Sequence, residues 1–144
     1  MKFPIPRVQP HIAFNGNCKA AIKFYETVFK TKAQIFLYKD CPPDPNWPIP
    51  PGREEWVMQA CMEVSEGLKL QFCDCPDQGP NAGTNICLQL TYGSPKEITA
   101  VYNALKTGGK ELCPLGKQFW AELYGELIDQ FGIRWSVMSD ETKG

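Results

Sequence analysis

Two amphipathic helices, each preceded by one strand-like segment and followed by three, constrain this 144-residue chain more than any other feature. Over residues 18–29 the apolar positions Cys18, Ala21, Ile22, Tyr25, Val28 and Phe29 recur with helical spacing and fall on one stripe. Asn15 or Asn17 is placed to cap that helix. The second helix is announced by Ser94-Pro95-Lys96-Glu97, a capping box with proline at the first helical position. It continues through Ile98, Val101, Tyr102 and Leu105 to Gly108-Gly109, where a positive φ can end it. Strand-like segments cover residues 8–14 before the first helix and 33–38, 55–64 and 68–73 after it. Around the second helix they cover 85–92, then 110–113, 119–127 and 133–138. The letters do not repeat, but the pattern does, and such a duplication usually pairs its halves around a shared feature.

Two stretches interrupt the pattern. Residues 39–53, KDCPPDPNWPIPPGR, carry six prolines, which exclude a helix or a central strand and leave an extended loop. Its length suits a lid or a dimer arm, and Trp47 within it either closes over the cleft or anchors a dimer contact, the second being preferred. Residues 76–83, PDQGPNAG, read as the linker between halves. No apolar run approaches the roughly 18–20 residues that span a bilayer, and Pro4, Pro6 and Pro10 break up any signal-peptide core. A cytoplasmic protein without a membrane partner is expected. Fifteen basic residues balance 16 acidic ones with no dense basic run, so nucleic acid is not an expected partner either. The seven cysteines are odd in number, and Cys18, Cys61 and Cys87 lie inside apolar runs, which reads as reduced, buried thiols. Cys73-Asp74-Cys75 alone approaches the spacing of a zinc pair, and without a second pair no structural zinc is expected.

The segments FNGNCKAAIKFYETVF and FWAELYGELIDQFGIRW resemble the two signatures of the PhnB-like branch of the vicinal-oxygen-chelate superfamily. That superfamily includes glyoxalases, bleomycin-resistance proteins and extradiol dioxygenases, and the resemblance covers nearly the whole chain. It implies an α+β fold within a single domain, residues 1–144, built from two βαβββ modules at about 5–75 and 84–140. Each module would curl a mixed sheet around a cleft, and homodimers are common. In the metal-dependent relatives the cleft holds a divalent ion bound by His, Gln or Glu, which acts as a Lewis acid on neighbouring substrate oxygens. One fold of this kind hosts many functions.

Carried over residue by residue, the first-strand ligand falls on Pro10, with His11 one place later. A one-residue offset turns a strand side chain to the opposite face, so His11 is expected to point away from the cleft. The last-strand glutamate falls on Ser136, a poor ligand, while Asn85 or Cys87 and Gln71 occupy the remaining ligand places. Histidines that PhnB-like relatives often carry correspond here to Gln59 and Glu122. The metal set is therefore expected to be incomplete and no cofactor is predicted; a divalent metal, with Gln59, Glu122 and His11 as weak candidate ligands, is the alternative.

The residues themselves suggest a pocket. Gln118, Trp120, Glu122, Tyr124 and Glu126 alternate along one face of a strand, and aromatics flanking a carboxylate are what a small-molecule site needs. If Glu122 lies in an apolar cleft, desolvation raises its pKa and makes it a candidate acid or base, whereas Glu126 reads as solvated. In residues 56–64, Trp56, Met58, Ala60, Met62 and Val64 form an apolar face opposite Gln59. Gln59 either meets a ligand or bonds across the sheet. Arg134 can receive an anionic group, on a different face from Trp135, which adds a further aromatic wall. Three readings result: a homodimer holding a small-molecule ligand in an aromatic-lined cleft, a metal-dependent lyase, isomerase or dioxygenase, and a metal-free enzyme using Glu122 as base with Gln59 as oxyanion donor. Sequences of this type are often labelled demethylubiquinone methyltransferases, but no glycine-rich strand-to-helix turn suited to a nucleotide-like cofactor is present.

Overall fold

Each helical stripe is buried against its own four-stranded sheet. The computed structural model describes residues 8–46, 48–75, 83 and 85–139. Trp47 and nearly all of the 76–83 linker lie outside the described residues. The chain divides into two compact units, Met1–Pro80 and Asn81–Gly144.

The first unit contains β1 (His11–Phe14), α1 (Cys18–Phe29), β2 (Ala33–Leu37), β3 (Val57–Ser65) and β4 (Leu68–Asp74). The sheet order is β1-β4-β3-β2, with β1 parallel to β4 and the other pairs antiparallel. Cys18, Ala21, Ile22, Tyr25 and Val28 of α1 are buried, and the Tyr25 ring stacks on Phe72 of β4 with centroids 5.7 Å apart. Each large side chain buried in this way contributes about 1.5–3 kcal/mol. The helix does not start on its own asparagines. Asn17 makes no side-chain cap bond; instead Asp74, at the end of β4, accepts from the backbone N–H groups of Gly16 (2.7 Å) and Cys18 (3.1 Å). The same carboxylate accepts from Val57 N–H at 3.0 Å, so one buried side chain joins the start of α1 to the start of β3. Gly16 has φ 96°, and a Cβ there would come within 2.7 Å of the Trp56 ring.

The expected alternation of residues 56–64 fails at its beginning. Val57 is fully buried while Met58 is exposed, because a register shift between Phe36 and Leu37 of the partner strand inserts an irregularity opposite Val57 and Gln59. From Ala60 to Glu63 the strand keeps its period, and a second register shift, against β4, falls between Glu63 and Ser65.

The second unit contains β5 (Leu88–Tyr92), α2 (Pro95–Lys106), β6 (Lys110–Gln118), β7 (Ala121–Ile128) and β8 (Arg134–Ser139). Its order, β5-β8-β7-β6, and its single parallel pair repeat those of the first unit. Here the cap is local: Ser94 Oγ accepts from Glu97 N–H at 3.4 Å. Tyr102 of α2 lies over Gly125, where a Cβ would meet its ring at 2.6 Å. β6 runs on through Pro114 to Gln118 rather than stopping at Cys113, since an edge strand tolerates a missing N–H and the β6–β7 register shifts three times. Phe119 and Trp120 consequently form the turn before β7 instead of its first residues. The fold is thus α+β, with two βαβββ units. Among the described residues no helix is long and apolar enough to cross a membrane.

Candidate functional site

Strand alternation gives each sheet one face covered by its helix and one free of it. On the helix-free face of the second unit, register places Gln89 beside Ser136, Ser136 beside Glu126, and Tyr124 beside Met138. Arg134 lies two residues along β8 from Ser136 and so shares that face. Tyr124 Oη donates to Glu126 Oε2 at 2.5 Å, and Arg134 Nη2 donates to Glu126 Oε1 at 2.8 Å. Ser136 Oγ donates to Gln89 Oε1 at 3.4 Å. Glu126 therefore accepts at both oxygens. The hydrogen bond from Tyr124, then that from Arg134, holds its carboxyl below the usual range. Burial, reinforced by the bond to Glu126, pushes the Tyr124 hydroxyl up to about 12, so it remains a donor at neutral pH.

Aromatic rings lead away from this cluster. Trp120 meets Tyr124 edge-on at 5.4 Å, and Phe119 meets Trp120 edge-on at 4.7 Å. Phe119 is 97% exposed and Trp120 46%. The result is an aromatic ladder descending from open solvent to a charged, hydrogen-bonded group.

The candidates from sequence divide unevenly across this arrangement. Trp120, Tyr124 and Arg134 are brought together. Glu122 is exposed, so the apolar surroundings on which its acid–base role depended are missing. Trp135 is 1% exposed on the helix-covered face, with Nε1 donating to Asp129 Oδ2 at 2.8 Å, and it belongs to the core rather than to a ligand wall. Glu126, assigned from sequence to a solvated edge, is the centre of the cluster. Counting outward from the short Asp129–Ile133 turn, which pairs Ile128 with Arg134, is the signal that finds it.

In the first unit, Gln59, Cys61 and Gln71 occupy the helix-free face, and His11 shares it because β1 pairs His11 with Gln71. The inference that His11 turns away is corrected: Pro10 precedes the strand, its carbonyl accepting from Gln71 N–H, and His11 opens the ladder. Gln59 Nε2 donates to Gln71 Oε1, and Gln71 Nε2 donates to Gln9 Oε1 at 3.1 Å. Gln71 is engaged at both its amide oxygen and its amide nitrogen, so an exposed imidazole and two bonded amides do not supply the three converging ligands that a divalent ion of the metal-dependent relatives would need. Among the described residues no group of three or more His, Cys, Asp or Glu side chains is arranged to hold a metal.

Residues 6–138 match the family described as 3-demethylubiquinone-9 3-methyltransferase. Protein YjdN of Escherichia coli is 23% identical over 145 aligned positions, covering 90% of this chain and 92% of YjdN. Among solved structures, protein PA1353 from Pseudomonas aeruginosa superposes with a TM-score of 0.80 at 26% identity, covering 94% of this chain and 98% of that one. A PhnB protein from Bacillus cereus gives 0.70 at 23% identity, over 94% and 100%. A glyoxylase/bleomycin resistance protein/dioxygenase domain from Frankia gives 0.67 at 12% identity, over 98% and 96%, a likeness of fold alone.

Proposed function

Since the chain belongs to the PhnB-like family described as 3-demethylubiquinone-9 3-methyltransferase, we propose that it binds a small organic molecule on the helix-free face of its second unit, without a full metal site. The observation that carries this reading is the ladder of Phe119, Trp120 and Tyr124 ending on the Glu126–Arg134 ion pair. Aromatic walls supply contact area, and a few fixed polar groups orient what they hold. The ligand that suits them has a flat apolar part for Trp120 and a polar group for Tyr124, Glu126 or Arg134. Glu126, kept charged by two donors, serves as an anchor rather than a proton carrier. Methyl transfer is not part of this reading, because the strand-to-helix turns at Asn15-Gly16-Asn17 and Gly93-Ser94 each hold a single glycine. We further propose that the protein works as a homodimer, as the resemblance implies; large apolar side chains such as Phe36 and Ile86, 56% and 69% exposed, are available for such a contact.

The test is a fragment titration followed at the indole N–H resonances. Binders should shift Trp120 and leave Trp135 still, and Trp120→Ala should weaken them about tenfold or more. Fragments that bind without moving Trp120, or bind Trp120→Ala equally well, would place the site elsewhere.

A further inference from the structure

On the helix-free face of the first unit, Cys73 and Cys75 carry their sulfurs 3.9 Å apart, both half-buried and both unpaired in a disulfide. The residue between them contributes no third donor, because Asp74 is turned inward onto Gly16, Cys18 and Val57. We propose that Cys73 and Cys75 form a two-thiolate site for a soft cation of low coordination number, copper(I).

Geometry separates this from the other fates of a thiol pair. A metal–sulfur bond of about 2.3 Å puts two sulfurs on one ion about 3.8 Å apart at a tetrahedral angle and about 4.6 Å apart when linear. The observed 3.9 Å falls inside that span, and the linear arrangement of a two-donor ion needs the sulfurs to part by about 0.7 Å. A disulfide needs the sulfurs at about 2.05 Å, and residues two apart in a strand have Cα atoms about 6.6 Å apart, near the far limit for such a bond. Cys75 N–H is also held by Phe14 O at 2.7 Å, which resists the required bend. Zinc wants four ligands, and no such group exists among the described residues. Thiolates select copper(I), which accepts two or three donors.

Burial first, and Cys75 beside it, push the Cys73 thiol up to about 12, so Cys73 is held as the thiol at neutral pH. Loading displaces both protons: Cu⁺ plus two R–SH gives [Cu(SR)₂]⁻ plus two H⁺, with no change of oxidation state. This site is independent of the aromatic ladder.

The test titrates the reduced full chain with copper(I) supplied as its bicinchoninate complex and follows loss of that complex's colour. One copper(I) per chain is expected, lost in Cys73→Ser and in Cys75→Ser and kept in Cys41→Ser and Cys113→Ser. On the unaltered protein, bound copper(I) should shield Cys73 and Cys75, but not Cys41 or Cys113, from a maleimide, as read by peptide mass; this arm needs no variant to fold. No transfer of copper, retention in the doubly substituted chain, shielding of other cysteines instead, or a peptide across residues 73–75 that has lost both thiol hydrogens would each overturn the proposal.

Discussion

Glu126 stands between a phenol and a guanidinium, and its charge governs both. Its folded pKa lies below the ordinary value of about 4.3, so its stabilising contribution is present above that pH and is lost as pH falls through the folded value. Glu126→Gln should cost about 1–3 kcal/mol at pH 7 in urea unfolding, and the difference from the unaltered protein should shrink on acidification below about pH 4. Tyr124 works in the opposite sense: its bond is kept as pH rises until the hydroxyl ionises near 12, a step that ultraviolet absorbance should show and that Glu126→Gln should move downward. Asp74 is the residue with most to lose. Asp74→Ala strands three backbone N–H groups, and a loss of about 3 kcal/mol or more is expected from thermal or urea unfolding. Residue types at these positions were readable from sequence; their partners were not. Nothing local ties Asp74 to Gly16, and Trp135 and Arg134, adjacent in the chain, have opposite fates that only the pairing of β7 with β8 decides.

At the level of elements, the helices were legible nearly to the residue, because apolar periodicity and the Ser94-Pro95 start are local signals. The strands were legible in number and order, and went astray where the backbone departs from strict alternation. Pro114 concealed the second half of β6, and the irregularity opposite Phe36 reversed Val57 and Met58. Two glycines mark where elements touch most closely. A Cβ at Gly125 would lie 2.6 Å from the Tyr102 ring, and one at Gly109 would lie 2.2 Å from Ile128 O, whereas at Gly93 it would meet nothing within 4 Å. Gly109→Ala should therefore destabilise by about 2–4 kcal/mol, Gly125→Ala by less if the Tyr102 ring can shift, and Gly93→Ala by under about 0.5 kcal/mol. Chemical unfolding of the three variants checks the order.

For the whole molecule, the proposed homodimer should sediment at twice the 16.2 kDa chain mass, and Phe36→Ser or Ile86→Ser should shift it toward monomer if either side chain lies in the contact. The doubled architecture also solves one problem in two ways. The N-terminus of α2 is closed by a serine three residues from its partner, while that of α1 is closed by a carboxylate 56 residues further along the chain from Cys18. During synthesis the cap of α2 can thus form as soon as the helix is made. The earlier helix has to wait: until residue 74 has emerged and β4 has found its place, α1 has its apolar stripe but no cap, and the order in which the helices are made need not be the order in which they become stable.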